Sequence, residues 1–166
     1  MKASYIKDII NVVELKWNKV EGKMFINEYF HNIDSKGRVI MPSKFRDEIG
    51  EEFYITKGMD ECLFVYPVSA FIQMTEKLNK LSLTRRQARA FSRVFFAGAS
   101  NQEIDKQGRF LIPQSLRNYA DIKKEVAIIG VSNRIEIWDK EKWEQYSNDS
   151  SLNYDDLADE LNDLDL

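Results

Sequence analysis

Short alternations of apolar and polar positions run through most of the chain, separated by stretches of helical spacing. Phe25 to Ile33 alternates imperfectly and predicts a strand. Asp34-Ser35-Lys36-Gly37 reads as a tight turn, because Asp accepts nearby backbone N–H groups and Gly takes positive φ without a Cβ clash. Arg38 to Met41 predicts a second strand. Pro42 fits the opening of a helix, where its missing N–H costs nothing, and the pattern Phe45, Arg46, Ile49 carries that helix to a stop at Gly50. Phe53–Thr56 and Leu63–Tyr66 predict a hairpin around Gly58–Glu61. A helical piece over 69–80 follows, the first part of a long helical connector predicted over 69–97. In it Arg85, Arg89 and Arg93 share one face, with Phe91 and Phe95 on the other, the spacing of an amphipathic helix with a basic stripe. The plan then repeats: strand 100–104, turn 105–108, strand 109–112, a Pro113-led helix, strands 126–129 and 135–138, and a helical piece 140–146.

The repetition extends to residue identity. Ile33-Asp34-Ser35-Lys36-Gly37-Arg38-Val39-Ile40-Met41-Pro42 returns 71 residues later as Ile104-Asp105-Lys106-Gln107-Gly108-Arg109-Phe110-Leu111-Ile112-Pro113. Phe45/Leu116 and Arg46/Arg117 keep that offset; after a one-residue slip, Gly58/Gly130, Leu63/Ile135, Val65/Ile137, Tyr66/Trp138 and Phe71/Trp143 match at 72. The chain is an internal duplication of a ββαββ unit. One such unit has too little interior to stand alone. Two copies bury their apolar strand faces against each other and close a small barrel-like body around a pseudo-two-fold axis.

Composition fits a globular protein of 166 residues, 43% hydrophobic and 31% charged. The single cysteine, Cys62, excludes an internal disulfide and lacks partners for a zinc site, which points to a reducing compartment. The single histidine, His31, sits in the first strand and reads as structural. No apolar run suits a membrane span, and the cytoplasm is the expected location. Residues 1–23 stand outside the duplication. Ile6, Ile9, Ile10, Val13 and Trp17 fit an amphipathic helix. Glu21-Gly22-Lys23 before Met24 also fits a purine-rich ribosome-binding site, so this extension reads as a translated leader. Net charge is −3, but residues 1–23 hold five lysines against three acids, and 148–166 hold seven acids and no base. Of the chain's 24 basic and 27 acidic residues, 24–147 therefore keep 19 and 17. Local patches, not the whole-chain charge, decide the partner. The acidic tail, with Leu152, Leu157, Leu161 and Leu164, reads as mobile or a loosely docked helix that can shield a basic face.

Met24-Phe25, Asp34-Ser-Lys-Gly-Arg38, Pro42, Tyr66-Pro67, the Arg-rich connector ending Phe96-Ala97-Gly98-Ala99, Asp105-x-x-Gly-Arg109 with Pro113, and Glu136-Ile-Trp138 together resemble the MraZ family over about residues 24 to 146. The resemblance implies an α+β, mainly β fold in which the two ββαββ units form a double swapped-hairpin, AbrB-like barrel with peripheral helices. It divides the chain into an extension (1–23), a first SpoVT-AbrB-like repeat (24–68), a helical connector (69–99), a second repeat (100–147) and the acidic tail (148–166). It also implies a ring-shaped homo-oligomer that regulates transcription by binding double-stranded DNA at repeated short boxes upstream of the division and cell-wall gene cluster, on the nucleoid.

The turn chemistry suits that role. Arg38 and Arg109 each open a strand after a tight turn, so the sheet holds the stem while the guanidinium projects. A held Arg can bond guanine O6 and N7 together, a contact worth ~1–3 kcal/mol of discrimination. Lys36 and Lys106 suit phosphates as point charges, and Lys44 beside Arg46 adds charge in the first repeat, where the second has Ser115 beside Arg117. Asp34, Gly37, Asp105 and Gly108 build the turns. The bland alternative is that each Asp–Arg pair only clips its own turn. An enzyme would need Asp34 and Asp105 as a shared-proton dyad, but adjacent Lys and Arg hold both ionised. No phosphate loop, nucleophile–base pair, metal cluster or cofactor motif appears, so neither catalysis nor a cofactor is expected. The remaining alternative is an oligomeric scaffold or antitoxin-like protein without base-specific DNA binding.

Overall fold

The computed structural model of the chain describes residues 24–162. The N-terminal extension, with its helix and leader readings, lies outside the described residues, as do Asp163, Leu164 and Asp165 of the tail. In chain order the elements are β1 (Glu28–Asn32), β2 (Arg38–Ile40), α1 (Ser43–Ile49), β3 (Glu52–Lys57), β4 (Leu63–Pro67), α2 (Val68–Asn79), α3 (Arg86–Gly98), β5 (Ser100–Glu103), β6 (Arg109–Leu111), α4 (Gln114–Tyr119), β7 (Glu125–Val131), β8 (Arg134–Asp139), α5 (Lys140–Ser147), a 3₁₀ turn (Ser150–Leu152) and α6 (Tyr154–Asn162).

Local chemistry sets many of these boundaries. All three prolines, Pro42, Pro67 and Pro113, stand immediately before a helix with φ of −50°, −54° and −54°, near the value their rings impose. Asp139, buried, caps α5 by accepting from the Glu141 and Lys142 N–H groups. β1 is shorter than its alternation suggests because Asn27 takes φ 78°, which interrupts the extended backbone, and Phe25 joins Ser132 only in an isolated bridge. The connector is two helices rather than one. Ser82 and Thr84 hydrogen-bond each other at 2.7 Å, and Arg89 Nη1 donates to the Leu83 carbonyl at 2.6 Å, so the linking turn is held by contacts a continuous helix would not make.

Six strands form one antiparallel sheet in the order β1-β7-β8-β4-β3-β5, and β2 pairs with β6 in a separate two-stranded ribbon. The halves exchange strands: β1 lies against β7, and β5 lies against β3. The registers obey the duplication. Val39 faces Phe110 and Phe64 faces Glu136, each residue meeting its own counterpart, so the pseudo-two-fold axis runs through the centres of the β2–β6 and β4–β8 ladders.

Alternation sorts the strand residues onto two buried faces. Phe53, Ile55, Leu63, Val65, Val126, Ile128, Ile135 and Ile137 point inward and meet Val39 and Phe110 of the ribbon, Phe45 and Ile49 of α1, and Leu116 of α4. Phe53 and Phe110 pack edge to face at 5.2 Å, as do Tyr29 and Phe45. Each such side chain contributes roughly 1.5–3 kcal/mol by leaving water, and the Phe53–Phe110 contact joins one half to the other. The opposite sheet face is covered by α2 and α3, through Tyr66, Phe71 and Phe95, and by α5 beside Trp138. Buried Thr56 donates to the Phe95 carbonyl at 2.7 Å and ties α3 to β3. Cys62 is buried in the second cluster, where desolvation pushes its thiol pKa far up, so it packs as a small apolar residue.

Candidate nucleic-acid interface

The two turns are nearly superposable in their bonding. Asp34 Oδ1 accepts from the Lys36 and Arg38 backbone N–H groups, both at 2.9 Å, and its Oδ2 accepts from Arg38 Nε at 2.8 Å. Asp105 does the same with the Gln107 and Arg109 N–H groups and with Arg109 Nε, all at 2.9 Å. These bonds hold both carboxyls below the ordinary Asp range; the largest cause is the backbone N–H of the arginine, followed among the stabilising contacts by its side chain. Each Asp therefore serves its own arginine, and neither shares a proton with the other. Each arginine is gripped through Nε, and its terminal nitrogens make no hydrogen bond among the described residues.

The turns also lock each other. The Gly37 carbonyl accepts from Ile112 N–H and the Gly108 carbonyl from Met41 N–H, both at 2.9 Å. Gly37 and Gly108 have φ of 81° and 79°, and a Cβ at either would run into a guanidinium: Arg117 under Gly37, Arg46 under Gly108. Arg46 Nε donates to Met41 O at 2.9 Å and Arg117 Nε to Ile112 O at 3.0 Å. Arg46, expected beside Lys44 as a DNA contact, is thus placed beneath the opposite turn. Arg117 is its twin beneath the first turn. Lys44, Lys36 and Lys106 are exposed.

On the ribbon, Val39 and Phe110 point to the core, so Arg38, Ile40, Arg109 and Leu111 share the outward face. Arg38 stands opposite Leu111, and Arg109 opposite Ile40. Ile40 and Leu111 are 41% and 42% exposed, a high value for aliphatic residues at the centre of a charged surface. They were absent from the candidates read from sequence, although strict alternation with the inward Val39 and Phe110 carries the signal.

The surroundings of the two turns differ in charge. Ile33 N–H, entering the first turn, donates to Lys124 O, with Lys123 and Lys124 exposed beside it. Ile104 N–H, entering the second turn, donates to Glu51 O, and Asp47, Glu51, Glu52 and Glu103 line the adjoining groove. His31 is half-buried in β1; burial, and then the nearby Arg46 charge, lower its pKa, so it is neutral near pH 7.

The family described as "MraZ protein, putative antitoxin-like" matches this chain twice, over residues 24–94 and 95–164. The chain belongs to the MraZ family. A relative from Finegoldia magna, named Transcriptional regulator MraZ, is 98% identical over 143 residues, covering 86% of this chain and 100% of that protein. Relatives of the same name from Clostridium tetani and Moorella thermoacetica are 55% and 51% identical, over 85% and 86% of this chain and 99% and 100% of theirs. The MraZ repeats carry the two turns and the ribbon between them. No helix among the described residues is long and apolar enough to cross a membrane.

Proposed function

We propose that the chain is a sequence-specific DNA-binding regulator of transcription whose β2–β6 ribbon enters the major groove. The carrying observation is the pair of outward arginines on an exposed two-stranded ribbon, each aimed by an aspartate through Nε. A two-stranded ribbon fits the major groove, and Arg38 and Arg109, about 8 Å apart by strand geometry, span two to three base steps. Ile40 and Leu111 lie between them, where apolar groups meet thymine methyls. The first turn leads: Lys36 and Lys44 meet phosphates, Lys123 and Lys124 make its surroundings positive, and the carboxylates beside the second turn repel the backbone. Lys106 contacts phosphate more weakly for that reason, and Arg46 acts as a positioning residue.

The exchange of β1 and β5 between halves supports reading the body as a double swapped-hairpin barrel. A single chain neutralises few phosphates, so we assign the working form to a ring of copies that presents equivalent ribbons to repeated boxes on one duplex, adding avidity without new contacts. The resemblance supports boxes upstream of the division and cell-wall genes as the target. The same chemistry offers no catalytic pair, since each Asp is committed to its own turn.

The test is an anisotropy titration with a duplex from the gene's own upstream region and a scrambled duplex of equal length, at several salt concentrations. The upstream duplex is expected to bind at least ~10³-fold more tightly. Lys36→Ala is expected to weaken both duplexes alike and flatten the salt slope by ~1 per copy. Equal affinity for the two duplexes would replace this reading with the oligomeric scaffold.

A further inference from the structure

The helices that follow the last strand of each half differ in charge. After β4 come α2 and α3; after β8 come α5 and α6. Helix α3 and the turn before it carry Arg85, Arg86, Arg89 and Arg93. Helix α6 carries Asp155, Asp156, Asp159 and Glu160. None of these eight side chains forms an ion pair among the described residues. Both segments also leave apolar groups in water: Leu83 in the turn before α3 is 80% exposed and Tyr154 of α6 85%, with Phe91, Val94 and Leu161 exposed as well. The sequence places the aromatics of α3 on its covered face, but only Phe95 is buried there.

We propose that α3 of one copy of this chain docks α6 of the next, a basic amphipathic helix against an acidic one; this rests on the assembly reading above. Three observations select this occupant. First, α3 packs on β3 and α5 on β7 and β8, two to three strand steps away in the sheet, ~10–14 Å, so the two lie over different parts of one sheet face. Second, α3 against α3 or α6 against α6 would set like charges together, whereas α3 of one copy against α6 of another pairs unlike charges; repeated head to tail, that contact builds a ring when its rotation closes. Third, α3 covers the sheet face opposite the β2–β6 ribbon, so its arginines do not share the ribbon's duplex. The exposed leucine, tyrosine, phenylalanine and valine supply the apolar area, and the charges fix which ends meet.

Charge exchange tests the pairing. The full chain, the variant Arg86→Glu/Arg89→Glu/Arg93→Glu, the variant Asp156→Lys/Asp159→Lys/Glu160→Lys, and the chain carrying all six changes are compared by size exclusion with light scattering, and their promoter binding by anisotropy. The wild type is expected as a multimer of the 19.5 kDa chain, each triple variant as a smaller species, and the six-change chain at the wild-type mass. A triple variant that keeps the wild-type mass, or a six-change chain that fails to recover it, overturns the pairing and leaves the ring itself standing. Arginine replacements that keep the mass but lose promoter affinity would reassign the stripe to DNA. A wild type running at 19.5 kDa overturns the ring and the pairing together.

Discussion

At the scale of residues, Asp34 shows how two oxygens aim an outward-facing arginine. One oxygen gathers the Lys36 and Arg38 N–H groups and closes the turn; the other takes Arg38 Nε. All of this happens within five residues, which is why Asp34, Gly37 and Arg38, and their copies Asp105, Gly108 and Arg109, were legible as a unit in the sequence. Arg46 and Arg117 were not, because each supports a turn in the other half of the chain, and side-chain spacing carries no trace of that contact. The carboxyl pKa gives a direct reading of the turn. Both aspartates lie below their ordinary value, so their contribution to folding is fully present above about pH 4 and is lost as pH falls through the depressed folded value. A carboxyl-carbon NMR titration is expected to put both midpoints below ~3.9. A midpoint at or above that value would mean the turn is open.

At the scale of elements, strand periodicity identified the faces but not the partners. Phe53, Ile55, Leu63 and Val65 alternate as a half-buried hairpin should. Nothing in that alternation says that β3 also takes β5 from the other half, or that β7 takes β1. The break between α2 and α3 is half legible: a helical piece over 69–80 ends close to α2, but Leu81 and Leu83 continue the apolar content across the turn that Ser82 and Thr84 make. Helix α3 depends on a polar contact no periodicity reports, the bond from buried Thr56 to the Phe95 carbonyl. Thr56→Val keeps the shape and strands that acceptor. Urea unfolding is expected to show a loss of about 1–3 kcal/mol. An unchanged midpoint would mean the carbonyl finds another donor and α3 is not anchored there.

At the scale of the whole molecule, duplication places two like turns side by side, and subsequent divergence makes them unequal. The pseudo-two-fold axis through Val39–Phe110 brings Arg38 and Arg109 onto one outward face. Lys123 and Lys124 then stand beside the first turn, while Asp47, Glu51, Glu52 and Glu103 line the groove at the second. The same divergence gives α3 its arginines and α6 its carboxylates. A net charge of −3 is no obstacle to the proposed DNA partner, because local patches and not the whole-chain charge face it. The most direct measurement is promoter binding by Arg38→Ala, with the assembly mass recorded in parallel. The mass is expected to be unchanged, while the preference for the upstream duplex over the scrambled one falls by ~1–3 kcal/mol for each ribbon engaged, leaving salt-sensitive binding to any sequence. An Arg38→Ala protein that keeps its full preference for the upstream duplex would contradict the assignment of the ribbon as the reader.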